Sequence, residues 1–363
     1  MSRYSIAATL AILGLAHSPA TASCQVRPAA QILREYDSVG YPSMSDGADP
    51  ESVARFRKQI EDAAARQEEL AVELLRSHPS HSRVPEVMTC RWTLLCTVSH
   101  DGRRVLEETA PCLSKKATSV ALRKAASAAR GRAALETDLP FEERRRLVED
   151  AIAAAPDDES VGVCLTGLAR YHTADSKVQR ELVERFGSEL EAREWTGPEV
   201  RRLRRLLALV GQSIDVGFPE SASRGSGGLP DSTRALRGRP LLLHFASLPG
   251  ADAFDREIAA IRALRERFGP DGLQIVSIHE LMQDETLEGL LARLAALGFT
   301  GPQYVDAGGF DRSLLATTFH QNETPLAVLL DPEGRLTAFC FRLEPLEPLL
   351  ERLLRPHRRR RPI

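Results

Sequence analysis

Six cysteines, at positions 24, 90, 96, 112, 164 and 340, are the residues of this chain that could do thiol chemistry. A disulfide is attacked by a thiolate, so the placement of these residues decides whether the chain can exchange disulfides. No cysteine lies between Cys164 and Cys340. Cys340 stands in Phe339-Cys-Phe341, a strand-like setting that predicts a buried, inert thiol with no resolving partner nearby. If Cys90 and Cys96 lie on one helix, six steps separate them by about 9 Å along the axis and turn them to different faces, so they could not bridge without breaking it. Six thiols in 363 residues do not make a disulfide scaffold. His244, His279 and His320 fall near predicted strand or helix ends where they could meet Asp252, but no Cys/His cluster has zinc-site spacing. No metal and no cofactor are expected, and His244 reads as a buried polar residue satisfied by its neighbours near a sheet end.

The elements that must position these residues change character along the chain. From Gln31 to about Val210 the apolar residues recur at helical spacing. Asp49-Pro50-Glu51 predicts an N-cap and first turn, followed by Val53, Phe56, Ile60 and Ala64 on one face, with an end near His78-Pro79. Phe141 to Ala155 is predicted to stop at Pro156, and Val178 to Phe186 at Gly187. Thr196-Gly-Pro-Glu199 reads as a capping box opening a helix to Val210. Such helices in succession suggest antiparallel hairpins. Ala151-Ile-Ala-Ala-Ala-Pro-Asp157 looks like the end of a tetratricopeptide-type repeat, which leaves two readings open, a curved helical array and a plain bundle.

Between Gly211 and Arg237 the composition turns to Gly, Ser and Pro, which marks a linker, with Ser213 to Phe218 alternating like an added strand. Beyond it strands and helices alternate, the pattern of a sheet covered on both faces. Strands are predicted at Leu241 to Phe245, Leu273 to Ile278, Leu326 to Leu330 and Leu336 to Phe341, the last two as a hairpin across Asp331-Pro-Glu-Gly334. Helices are predicted at Phe254 to Phe268, Glu285 to Leu297, Asp311 to Phe319 and Leu346 to Leu354. The domain plan is a signal peptide at 1–23, a helical domain at 24–210, a linker at 211–237, an α/β domain at 238–354 and a basic tail at 355–363.

A net charge of −2 gives no reason to expect nucleic acid as a partner. Arg3, the apolar run Ile6 to Ala16 and Ala20-Thr-Ala22 have the three parts of a secretory signal, and the apolar run is too short for a membrane-spanning helix. Export to the periplasm or cell envelope follows as the expectation. Attachment through a lipidated Cys24 is the competing reading, weakened because Thr21 replaces the large aliphatic residue of that motif.

Three motifs, Gly238-Arg-Pro-Leu-Leu-Leu-His-Phe245, Gly301-Pro-Gln-Tyr-Val-Asp306 and Glu323-Thr-Pro-Leu-Ala-Val-Leu-Leu-Asp-Pro-Glu-Gly334, occur in that order. Together they resemble the TlpA-like thiol-disulfide oxidoreductases of the thioredoxin superfamily, in particular exported redoxins with a helical domain in front. The resemblance implies a thioredoxin-like α/β C-terminal domain behind an all-α N-terminal one. It also implies that Pro325 is cis and that Thr324 and Pro325 form a loop offering backbone hydrogen bonds to an extended peptide. Gly250, Ala251, Asp252 and Ala253 would hold the place of the redox loop, where the family carries Cys-x-x-Cys. None of the four can form a thiolate, so the active site is degenerate and no catalytic residue is assigned.

The sequence therefore supports an exported, non-catalytic module that binds an extended peptide or envelope protein. The alternative is a thiol-disulfide oxidoreductase using a non-standard cysteine, and a third reading makes the C-terminal domain purely structural.

Overall fold

The structure is a computed structural model that describes residues 26–43, 50–114, 118–156, 158–218, 230–247, 251–280, 286–299, 302–306, 313–321 and 323–358; at positions 50, 247, 251–253 and 355–358 only the backbone is described. The predicted signal peptide, Cys24, Asp49, much of the Gly/Ser-rich linker, Gly250 and the end of the basic tail lie outside these residues. The chain divides into two compact units, Met1–Leu165 and Thr166–Ile363.

The first unit is all helical among its described residues. It holds α1 (Ala29–Ser38), α2 (Pro50–Ser77), α3 (Val84–Thr97), α4 (Gly102–Ser114), α5 (Val120–Glu136), α6 (Phe141–Ala154) and the start of α7 (Glu159–Tyr171). One apolar core joins α1 to α5, with Ile32, Leu70, Leu74, Val87, Trp92, Leu95 and Val105 all buried. The buried Arg91 lies between Glu68 and Glu108, and Glu108 also accepts from Trp92 Nε1 at 3.3 Å. Burial pushes the Glu108 carboxyl up, but hydrogen bonding and charge from Arg91 and Arg104 outweigh it and hold the group below the usual carboxylate range. Cys90 and Cys96 share α3 and are free thiols.

The second unit begins inside α7, not at the composition change near residue 211. The rest of α7, then α8 (Ser176–Glu191) and α9 (Thr196–Ala208), belong with a five-stranded sheet. Its strands are β1 (Leu241–Ser247), β2 (Gln274–Glu280), β3 (Gln303–Asp306), β4 (Leu326–Leu330) and β5 (Leu336–Cys340), in spatial order β3-β2-β1-β4-β5. β1, β2 and β3 are parallel, while β4 and β5 run antiparallel to them. Unbroken apolar runs such as Leu241-Leu-Leu243 and Leu326 to Leu330 occur because these strands are buried on both faces. One face carries Leu242, Ala246, Ile275, Val305, Ala327, Leu329, Ala338 and Cys340. It is covered by α10 (Ala251–Phe268), α11 (Leu287–Ala296) and α13 (Glu347–Arg358). On the other face Phe319 of α12 (Leu314–Phe319) packs edge-on against Phe245.

The reason α7 to α9 join this unit is visible along β5, an edge strand whose outward backbone groups need partners. Phe341 N donates to the Arg170 carbonyl at 2.9 Å, and Gly211 N donates to Leu336 O at 2.8 Å. Leu336 N donates to Gln212 O at 2.9 Å, and the buried Gln179 amide reaches Phe339 O at 3.3 Å. The expected hairpin turn is present, with Gly334 at φ 82° and its N–H on Asp331 O at 2.9 Å. Residues 213–218 form two isolated bridges, Ser213 to Arg335 and Gly217 to Ser232, in place of the expected added strand.

Three further expectations change. α13 runs on to Arg358 instead of leaving a tail from 355. α8 continues through Gly187 to Glu191; the glycine faces α9, where a Cβ would meet the far end of the Arg204 side chain at 2.8 Å and Val200 at 3.4 Å. Thr196 is the first residue of α9, not its cap; its hydroxyl donates to Leu190 O at 3.2 Å, and Glu199 is drawn to Thr166 and Arg170 instead of closing a capping box.

Gly197 tests this packing. A Cβ at Gly197 would lie 2.5 Å from the backbone oxygen of Glu191, which cannot swing aside. Helix propensity alone would make Gly197→Ala stabilising by about 0.5–1 kcal/mol. We expect the clash to reverse that sign, with a net loss on the order of 1–3 kcal/mol in chemical denaturation.

Candidate functional site

β1, β2 and β3 end at one edge of the sheet, and β4 begins there. Loops beyond the carboxyl ends of parallel strands are where open α/β sheets place their ligands. Leu326 pairs with Phe245, so Thr324 and Pro325 lie beside the C-terminal end of β1, from which the chain passes to residues 248–253. The Thr324–Pro325 peptide bond is cis, and both residues are half-buried. Ala251, Asp252 and Ala253 form the first turn of α10, and nothing is described of their side chains.

The segment leading into Pro325 is tied to the preceding helices by side chains. Glu323 presents one carboxylate oxygen to Arg170 and the other to Arg202 Nη2, the latter at 3.1 Å. Gln321, itself buried, donates from Nε2 to the Arg202 carbonyl at 3.2 Å. Arg170 is 5% exposed; it reaches Glu199 at 3.6 Å, and its guanidinium stacks over Phe341 at 4.1 Å and Tyr171 at 5.3 Å. Its backbone carbonyl accepts from both Phe341 N and Cys340 Sγ. Sequence reasoning missed this group because its members are 153 and 121 positions apart, and no local pattern announces such a pair.

Beneath the same edge, His244 is fully buried with Nε2 2.8 Å from a Glu257 carboxylate oxygen and Nδ1 3.4 Å from Ser277 Oγ. Facing a carboxylate, Nε2 is placed to donate, and both ring nitrogens have partners. His279, two residues beyond Ser277 on the same face of β2, lies edge-on to Phe254 and Phe299. Neither of its ring nitrogens has a hydrogen-bond partner among the described residues. Burial, helped slightly by His244, pushes His279 down to about 3. On the other face, Glu280 and Asp306 pair in register at the ends of β2 and β3, and burial pushes the Glu280 carboxyl up.

The histidines do not converge. His320 is exposed at the end of α12, on the face opposite His244 and His279, and the described residues include no group of three metal-capable side chains. Cys340 is 0% exposed and its thiol is pushed up to about 12 by burial, so it is not a thiolate at neutral pH. Cys164 is pushed up to about 12 for the same reason.

The strand order, the direction of β4 and β5 and the helices on both faces together decide the architecture. The sheet unit has the thioredoxin-like fold. Several solved structures are similar to this chain at this level. A thiol-disulfide isomerase from Corynebacterium glutamicum is 18% identical with a TM-score of 0.35, the match covering 40% of this chain and 96% of that one. The thioredoxin domain of a thiol-disulfide oxidoreductase from Bacteroides vulgatus is 19% identical with a TM-score of 0.32, covering 40% and 95%. StoA from Bacillus subtilis is 16% identical with a TM-score of 0.31, covering 39% and 97%. No protein-family model and no curated protein matches the chain.

Two outcomes are expected. Cys340 should resist alkylation at neutral pH in the native protein and react at the rate of a free thiol once the chain is unfolded, as mass spectrometry of the labelled peptide would show. For His279, the unfolded chain takes up a proton near pH 6.5 and the folded one near 3, so stability falls as pH drops through that window. The slope approaches about 1.4 kcal/mol per pH unit. His279→Leu should remove this part of the acid sensitivity in denaturation curves taken from pH 7 to pH 4. Glu280, whose carboxyl is pushed up, acts in the opposite sense above pH 4.5 and is common to both proteins.

Proposed function

We propose that this chain is an exported, non-catalytic binding module that holds an extended segment of a peptide or envelope protein at the Thr324–Pro325 loop. The observation that carries the reading is chemical. Residues 165–339 contain no cysteine, and the one thiol in the sheet is buried, donates to a backbone carbonyl and is pushed far from ionisation. Without a thiolate at the sheet edge, what remains usable there is backbone, and main-chain hydrogen bonding is how extended peptides are taken up by folds that expose it. The helices of the first unit would add a second contact surface. Export rests on the charged, apolar and small-residue parts of the first 22 residues; among the described residues no helix is long and apolar enough to cross a membrane.

The second reading, a thiol-disulfide oxidoreductase, draws on the names of the structurally similar proteins. On this chain it would need an accessible thiol. Cys90 and Cys112 are half-buried in the first unit, and Cys164 and Cys340 are buried.

The test is twofold. Catalysed reduction of a protein disulfide by a dithiol is measured for the native chain, for Cys340→Ser and for Gly250→Cys with Ala253→Cys. The native chain and Cys340→Ser should both be inactive, and activity in the double-cysteine variant would identify an intact scaffold that lacks only its thiols. Native activity lost in Cys340→Ser would overturn the proposal. Binding of a cysteine-alkylated, permanently unfolded protein is followed by fluorescence anisotropy. Thr324→Tyr should weaken it at least tenfold, about 1.4 kcal/mol, without shifting the thermal midpoint. A shifted midpoint with unchanged binding would instead support a purely structural domain.

A further inference from the structure

The helices before the sheet do more than cover its edge. The side chains of the segment between α12 and β4 reach across to α7 and α9: Gln321 donates to the Arg202 carbonyl, and the two oxygens of Glu323 go to Arg170 and Arg202 separately. Glu323 is adjacent to Thr324 and two residues from Pro325. A carboxylate gripped at one oxygen has a free rotation, whereas one gripped at both oxygens from two helices has a fixed plane, and the backbone that carries it is fixed with it. Arg170 is itself immobilised by stacking between Phe341 and Tyr171, by Glu199 and by the strand bonds of its own carbonyl. The clamp therefore transmits the position of β5 and of two helices to the loop.

We propose that Arg170 and Arg202 are positioning residues that act through Glu323 to hold the Thr324–Pro325 loop in its peptide-accepting form, so that α7 and α9 complete the binding site. This inference rests on the binding function proposed above. It assigns the helices a role that the sheet alone does not fill: an unclamped loop would sample other arrangements, and affinity would fall by the fraction of time spent in them.

The experiment uses the full chain and the cysteine-alkylated unfolded protein as probe, with amide hydrogen exchange as a second readout. Arg170 is so deeply buried that its replacement would test folding as much as positioning. Glu323→Gln and Arg202→Met, at partly exposed positions, are the working variants. Each should weaken binding about tenfold, leave the thermal midpoint within about 2 °C, and speed exchange at Gln321, Glu323 and Thr324 alone. Arg202→Lys, which keeps the charge, should restore most of the affinity. Unchanged exchange at these three amides would overturn the positioning role, and so would faster exchange spread evenly over the second unit. If the native chain binds no probe, the proposed function fails, and exchange at the three amides still decides whether the clamp orders the loop. Weakened binding with no local change in exchange would also contradict the inference, because the arginines would then be acting as ligand contacts.

Discussion

The second unit is organised around Arg170. A guanidinium this deeply buried cannot be left unpaired, because an isolated buried charge would cost several kcal/mol. Its partners come from three places: Glu199 on α9, Glu323 before β4, and the faces of Phe341 and Tyr171. Its carbonyl meanwhile extends the pairing of β5. Satisfying one residue thus fixes two helices, an edge strand and a loop in relation to one another. An ion pair of this kind is a poor source of net stability, since hydrophobic replacements are often as stable, and Glu323 keeps 35% of its side chain exposed. What it supplies is geometry. Apolar packing on both faces of the sheet, with Leu242, Phe245, Ile258 and Leu350 all fully buried, supplies the stability.

Much of the sheet was legible from sequence because each element carries its own signal. The apolar runs at Leu241 and Leu326, the turn at Asp331-Pro-Glu-Gly334 and the amphipathic helix ending at Phe268 are local patterns, and the strands and helices formed where those patterns lie. The compact unit around the sheet starts at Thr166, ahead of the composition change at residue 211, for a physical reason. Composition reports where the chain is polar and small, but the limit of a cooperative unit is set by which surfaces bury one another, and α8 and α9 look no different in sequence from the helices before them. Gly187 shows the same limit on a smaller scale. A glycine within a helical pattern reads as a stop, and only the neighbouring helix reveals it as a contact.

The site was legible only in part. Thr324 and Pro325 are singled out only through resemblance, and the bond between them is cis. His244 was expected to be satisfied, but its partner Glu257 was not foreseen, and His279 reads from sequence as one more histidine near a strand end. Its unusual character comes from Phe254 and Phe299, which burial brings around it. The absent nucleophile needed no structure, since the sequence has no thiol to offer between Cys164 and Cys340. What the structure adds is that Cys340, though it lies on the adjacent edge strand, is held as a buried donor to Arg170.

Native-state hydrogen exchange of the full chain across a denaturant series decides whether the helices from residue 166 onward belong to the sheet's own cooperative unit. If they do, amides of α8 and α9 lose protection together with those of β4 and β5, at one opening free energy. If α8 and α9 instead exchange with the helices of residues 29–154 while β4 and β5 stay protected, the unit boundary lies where the composition changes, and the account of how the loop is held is wrong.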